Sequence, residues 1–270
     1  MRGARPERAL DAVVRRALRP ASGVRVCVAL SGGPDSVALA ALLDRLARED
    51  GGDVVLAHVN HGVRASAGQD ECVALSVGAR LSRRVLVARL QPAASDEAAL
   101  RDARYAALAR LAREVDATVV ATAHTAEDQT ETVLLALFRG SGLDGLAGMA
   151  PRRSLADGIE LVRPLLRVTR AELATELRHS GLPYALDPSN EDTRYRRNAL
   201  RAHLAALRDD FPNLDRAVAR CGEIVRGELG ETPRAQARRA LRAQLSEQGA
   251  LRDVSFAAIE AALDATPERP

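Results

Sequence analysis

The segment VRVCVALSGGPDSVALAALLDRLARED, residues 24–50, decides the fold. Its first seven residues are a short, β-branched apolar run, and from Ser36 the apolar positions recur at helical spacing. A strand, a turn and a helix are expected in that order, with SGGPDS at 31–36 as the turn. Two glycines, Gly32 and Gly33, let backbone approach a ligand closely. The helix behind them directs free N–H groups and a positive dipole at whatever sits there. Ser31 and Ser36 add hydroxyl donors, and Asp35 is placed to hold Mg2+ against phosphates. An isolated SGG would read as a tight turn of small residues. The whole hexapeptide, after the first strand of an α/β pattern, reads as a phosphate site.

Strand-like and helix-like segments continue to alternate on the carboxyl side. DVVLAHV (53–59), RRVLVARL (83–90), ATVVATA (117–123) and IELVRPLL (159–166) read as further strands. Helices are expected at 70–81, at 95–115 with Ser95 as N-cap, and at about 126–138. Thr169 and Glu172 form a capping box for another, and Gly181 stops it. The expected fold class is α/β, a doubly wound parallel sheet with ligands outside the carboxyl ends of its strands. Residues 1–23 read as an N-terminal amphipathic helix and 24–209 as the nucleotide-binding domain, with a boundary near Asp209–Asn213. Residues 210–270 read as a short all-α domain.

Composition excludes several classes. All 39 basic residues other than histidine are arginine, because the chain of 270 contains no lysine. A Walker A site and a Schiff-base enzyme both need a lysine of their own. Ala-rich, Trp-free composition makes a GC-rich genome the best reason for the absence. Apolar residues at 47% and charged ones at 28% describe a globular chain with an ample core. Aromatics at 2% argue against single-strand stacking platforms. Cys27, Cys72 and Cys221 are scattered without zinc spacing, which suits a reduced cytoplasm. No apolar run is long enough for a membrane span, and the N-terminus lacks a signal-peptide core. Net charge is +3, distributed as +5 over residues 1–25, −4 over 26–150 and +2 over 151–270. An acidic middle between basic flanks suits a site for cations beside surfaces that meet a polyanion, and solvated helix faces would give the same numbers.

SGGPDS in this position resembles the loop of N-type ATP pyrophosphatases, which transfer AMP and release pyrophosphate. HVNHGVR (58–64), EAALRDARYAAL (97–108), AHTAEDQTETVLLALFRGSGLDGLAGM (123–149), RPLL (163–166) and DPSNEDTRYRRNALR (187–201) follow in order. Together they resemble the tRNA(Ile)-lysidine synthetase family over most of residues 24–201. The resemblance implies ATP and Mg2+ as cofactors, and free L-lysine and a CAU-anticodon tRNA(Ile) as substrates. It implies adenylation of the wobble cytidine at its C2 oxygen, followed by attack of the lysine ε-amine to give lysidine.

Under that resemblance, Ser31, Gly32, Gly33, Pro34, Asp35, Ser36, His58 and Asn60 are candidates for ATP binding, with Asp35 the Mg2+ ligand. Asp128 and Glu131, at i and i+3, share one helical face and are candidates to bind lysine and take its proton. Ordinary acids in the first turn behind a Thr125 cap are the bland alternative. The family often carries aspartate where this chain has Glu127. His61, Arg64, Arg101, Arg104, His124, Arg197, Asn198 and Arg201 are candidates for tRNA or AMP contact, against structural histidines and solvated basic faces. RGSGLDGLAGM (139–149) reads as a mobile loop that closes over the site. The tail is short for the family's helical tRNA-binding region, which leaves a homodimer open. Competing readings are a tRNA thiolase with the same loop, which needs reactive cysteines, and a non-catalytic ATP- or tRNA-binding module.

Overall fold

Strand β1 (Arg25–Ala29) and helix α2 (Pro34–Asp50) flank the glycine turn as the spacing of apolar residues requires. They belong to a computed structural model that describes residues 6–18, 25–60, 62, 67–90, 97–186, 196–229, 233–247, 254 and 256–264. The chain divides into two compact units, 1–126 with 150–192 and 127–149 with 193–270. The first holds α1 (Pro6–Leu18), β1, α2, β2 (Asp53–Asn60), α3 (Ala67–Leu81), β3 (Val85–Arg89), α4 (Glu97–Arg113) and β4 (Val119–Ala121). It continues with β5 (Arg152–Ala156), β6 (Ile159–Val162) and α7 (Arg170–Ser180).

The strand order is β3-β2-β1-β4-β6-β5, parallel throughout except that β5 runs antiparallel to β6. Successive residues point to opposite faces, and both faces are covered. Val26, Val28, Val54, Leu56, Val119 and Val162 pack with α2 and α7 on one side. Cys27, Val55, Leu86, Val120 and Leu161 pack with α4 on the other. Burial on both faces is why these strands read as unbroken apolar runs. The order reverses between β1 and β4, and the SGGPDS turn leaves β1 at that switch point. Helix α7 begins with the expected capping box, Thr169 with Glu172, and stops at Gly181 with φ +61.

Two expectations for this unit need correction. The run 159–166 is a strand only to Val162, because Pro164 cannot donate to a ladder. Strand β5 was not expected at all. Its sequence, RRSLA, lies at the sheet edge with its middle residues exposed, so it carries no apolar alternation to find. The Ser95 cap lies outside the described residues.

The second unit holds α5 (Ala126–Phe138) beyond its first residue, α6 (Leu143–Leu146), α8 (Arg196–Asp210), α9 (Leu214–Leu229), α10 (Pro233–Glu247) and α11 (Phe256–Asp264). On the carboxyl side this unit resumes at Thr193. Helix α8 is tied to α5 by ion pairs from Arg197 and Arg201, and to α9 by Arg208 with Asp215 at 2.7 Å. The stretch 139–149 is not an open loop. The Gln129 amide donates to Met149 O (3.2 Å) and accepts from Met149 N (2.8 Å), while Arg226 donates to Ala147 O and Met149 O. Gly148 sits at φ +64, and a Cβ there would lie 2.7 Å from Gln129 Nε2. Gly148→Ala is therefore expected to cost about 2 kcal/mol, from the left-handed backbone and the displaced amide together. Denaturant unfolding should show a lowered midpoint with an unchanged slope.

Candidate active site

The loop between β1 and α2 is laced by its own hydroxyls. Ser36 Oγ accepts from Ser31 N (3.2 Å) and donates to Gly33 O (2.9 Å), and the Ser31 and Ser36 hydroxyls are 3.0 Å apart. Gly33 is the N-cap of α2 and supplies no side-chain cap. The first-turn donors of a seventeen-residue helix therefore face the loop without a side-chain acceptor, an arrangement that favours an anion. Gly32 has φ +92, and a Cβ on it would stand 3.1 Å from the Asp70 carbonyl oxygen, so only glycine fits. Asp35 is partly exposed and accepts from Arg170 Nε at 3.1 Å.

Beneath this loop, His58 is buried, with Nδ1 2.8 Å from Leu30 O. A carbonyl only accepts, so Nδ1 carries the proton. Nε2 is buried and closes no hydrogen bond in the structure. Asn60 is used locally: Nδ2 donates to Glu71 (2.9 Å) and Oδ1 accepts from Gly62 N (2.9 Å). Arg89 also binds Glu71, and these donors hold the Glu71 carboxyl below its usual range, Arg89 contributing most. His124 Nδ1 lies 3.0 Å from the Thr122 hydroxyl.

In the second unit the chemistry gathers on α5. Glu131 has no exposed surface, yet both its oxygens are engaged: Arg201 binds bidentately at 2.8 and 3.0 Å, and Arg197 Nε donates at 2.9 Å. Arg197 also donates to the Thr132 hydroxyl at 3.0 Å. The two guanidiniums remain about one-third exposed. Asp128, one turn earlier, is half-buried, and Glu127 is buried. A fully buried carboxylate between two arginines fixes where those arginines stand.

A family model described as the PP-loop domain matches residues 6–207. The chain belongs to the PP-loop domain family. A protein of Novosphingobium aromaticivorans named tRNA(Ile)-lysidine synthase is 43% identical over 193 residues, covering 70% of this chain and 58% of that one. A Thermus thermophilus protein of the same name is 40% identical, covering 80% of this chain and 42% of its own length. Another, from Gloeobacter violaceus, is 39% identical and covers 81% and 69%. The chain is thus a member of the tRNA(Ile)-lysidine synthase family, although it spans only about half the length of several curated relatives it matches. Among solved structures, the U34-tRNA thiolase NcsA from Methanococcus maripaludis, with its [4Fe-4S] cluster, superposes with a TM-score of 0.69 at 16% identity. It covers 82% of this chain and 78% of its own, a likeness of fold.

The PP-loop fold brings together part of what the sequence suggests. Ser31, Ser36 and Asp35 share one loop, and His58 reaches its base through Leu30. Glu131, Arg197 and Arg201, assigned to different ligands on sequence grounds, form one cluster. Arg101 is exposed and Arg104 half-buried on α4, while Asn198 is on α8. His61, Arg64 and DPSN (187–190) lie outside the described residues. Arg170 escaped notice. An arginine in the first turn of a helix opposes the dipole, a signal that it has an anionic partner elsewhere. Glu131→Ala should strand two part-buried guanidiniums and cost about 2–3 kcal/mol in a chemical unfolding curve. Glu131→Gln keeps one acceptor and should cost less.

Proposed function

We propose that this chain ligates free L-lysine to C2 of the wobble cytidine in a CAU-anticodon tRNA(Ile), with ATP converted to AMP and pyrophosphate. The observation that carries the reading is the hydroxyl-laced PP-loop without a side-chain cap, in a chain that resembles proteins of that name and whose α5 opens on acidic residues. Ser31, Gly32, Gly33, Pro34, Asp35 and Ser36 would receive the ATP phosphates, and His58 supports the loop from beneath through Leu30 O. Asp35 fits a magnesium ion carried in with ATP. It supplies one carboxylate next to hydroxyls, and Mg2+ takes most of its remaining ligands from phosphates and water. Among the described residues no group of three or more His, Cys, Asp or Glu gathers to hold a metal alone. When bound, the ion would neutralise phosphate charge as pyrophosphate leaves.

The two half-reactions ask different things of the protein. In the first, the cytidine O2 bonds to the α-phosphorus and the bond to pyrophosphate breaks. In the second, the lysine ε-nitrogen bonds to C2, AMP leaves with the oxygen, and the amine loses a proton. At neutral pH about one ε-amine in 2,500 is free base, so an acceptor is required. Asp128 is the first choice for that acceptor, with Glu131 behind it. Glu131 already holds Arg197 and Arg201, so an ammonium reaching it competes with two guanidiniums for the carboxylate.

A thiolase reading finds no support in Cys27, which is buried on β1 with its thiol pushed up to about 12 by burial. No helix among the described residues is long and apolar enough to cross a membrane. The purified chain with Mg2+, ATP and a CAU-anticodon transcript should incorporate labelled lysine while forming AMP and pyrophosphate. An absence of labelled lysine in the RNA sinks the proposal. Asp35→Ala should abolish pyrophosphate release, since both charge compensation and the Arg170 contact are lost.

A further inference from the structure

The chain returns to the PP-loop after α7. Gly181, in the left-handed region, turns it out of the helix, and Pro183 favours an extended path. The stretch 182–186 is then fixed at both ends. At its start Arg80 of α3 donates to Gly181 O at 3.0 Å, Leu182 N donates to the Ser180 hydroxyl at 3.3 Å, and the Leu182 side chain is buried in the core that α2 also lines. At its far end Ala185 N donates to Gly32 O at 2.9 Å. Three residues of extended chain span about 10 Å, enough to carry it from that core to the loop. Tyr184 and Leu186 are exposed, and the bond to the loop is a main-chain one. All of these residues belong to the first unit.

That bond decides which way a peptide faces. A trans peptide is planar, so its C=O and N–H point in opposite directions. With Gly32 O turned to Ala185, the Gly33 N–H points the other way. It lies 3.4 Å from the Ser31 hydroxyl oxygen, which is itself 3.0 Å from that of Ser36. A contact of 3.4 Å is long, so an anion that displaces it loses little. Two successive glycines do not fix the orientation of the peptide between them, since either backbone accepts the flipped form without a Cβ clash. A bond from outside the loop does fix it. Pro34, at the start of α2, has no N–H to take over if the Gly33 donor turns away.

We propose that the stretch 182–186 is a strap that holds the PP-loop in its anion-accepting form, with the Ala185 main-chain N–H as the positioning group for the pyrophosphate part of ATP. The inference rests on the reading of SGGPDS as the loop that receives the ATP phosphates, and it makes that loop incomplete without a residue far along the chain. The strap acts on phosphate binding alone, because the Gly33 N–H it orients points into the loop. Ala185 touches no ligand; it works through the Gly32 carbonyl.

The test replaces the amide between Tyr184 and Ala185 by an ester, with L-lactic acid incorporated at position 185 of the full chain. This removes one N–H and leaves every side chain in place. Calorimetry with Mg2+ present then gives dissociation constants for pyrophosphate, a non-hydrolysable ATP analogue and adenosine. Pyrophosphate and the analogue should each bind about tenfold more weakly to the ester protein, the worth of one hydrogen bond to a charged group, while adenosine binds as before. Ala185→Pro encodes the same deletion and should follow the ester. Tyr184→Ala keeps the N–H and should bind like the parent. A merely structural bond would lower the ligand-free unfolding midpoint and leave the pyrophosphate constant alone, which overturns the proposal. So does a loss in Tyr184→Ala equal to that of the ester, which would assign the effect to the side chains of the strap. If the parent binds neither pyrophosphate nor the analogue, the phosphate reading of the loop fails and the strap with it. If the parent binds both and the ester protein binds them as tightly, the strap alone is refuted.

Discussion

Burial of the sheet on both faces is the constraint from which the rest follows. With α2 and α7 on one side and α4 on the other, β1, β2 and β4 have no side-chain face left for a ligand. Chemistry in the first unit is confined to the carboxyl ends of the strands, where main-chain donors and loop residues are free of the core. The PP-loop occupies that edge because β1 ends at Ala29 and α2 starts at Pro34, leaving four residues to turn the chain. Gly32 takes the left-handed backbone against Asp70, and Ser36 closes the loop on itself.

Arginine supplies what lysine does in other chains, and its fork geometry shapes the electrostatics. One carboxylate can hold two guanidiniums, as Glu131 does, and one guanidinium can join two carboxylates, as Arg45 joins Asp11 and Glu176. Such shared pairing turns charges into fixed scaffolding between helices. Where no carboxylate is in reach, a guanidinium rests on a ring or a carbonyl instead, as Arg153 does on Tyr105 and Ser154 O. That distinction separates Arg83, bound to Asp44, from Arg153 on the same sheet's edge.

The sheet and its helices were legible because burial on two faces writes itself into the strands as apolar runs, and 3.6-residue spacing marks the helices between them. The α7 capping box was legible for a local reason: Thr169, Glu172 and Gly181 act within one helix. Strand β5 was not, since an edge strand with exposed middle residues has neither run nor alternation. The contacts of the stretch 139–149 were hidden for the opposite reason. Its glycines suggest freedom, but Gly148 is there because the Gln129 amide leaves no room for a Cβ.

The candidate site was legible as a set of residue types and not as a set of partnerships. SGGPDS announces a phosphate loop because its chemistry is contiguous. Glu131 and Arg197 are 66 positions apart, and nothing in either neighbourhood says that they touch. Sequence spacing placed Asp128 and Glu131 on one face of α5, which holds, but not the two arginines that determine what Glu131 can accept. Tyr105 shows the limit most clearly. Within EAALRDARYAAL it occupies an apolar position, and burial is what its spacing implies. That its ring gathers Arg153 from an unforeseen edge strand and neighbours Arg163, just beyond a strand read as continuing, depends on two tertiary facts local pattern does not contain.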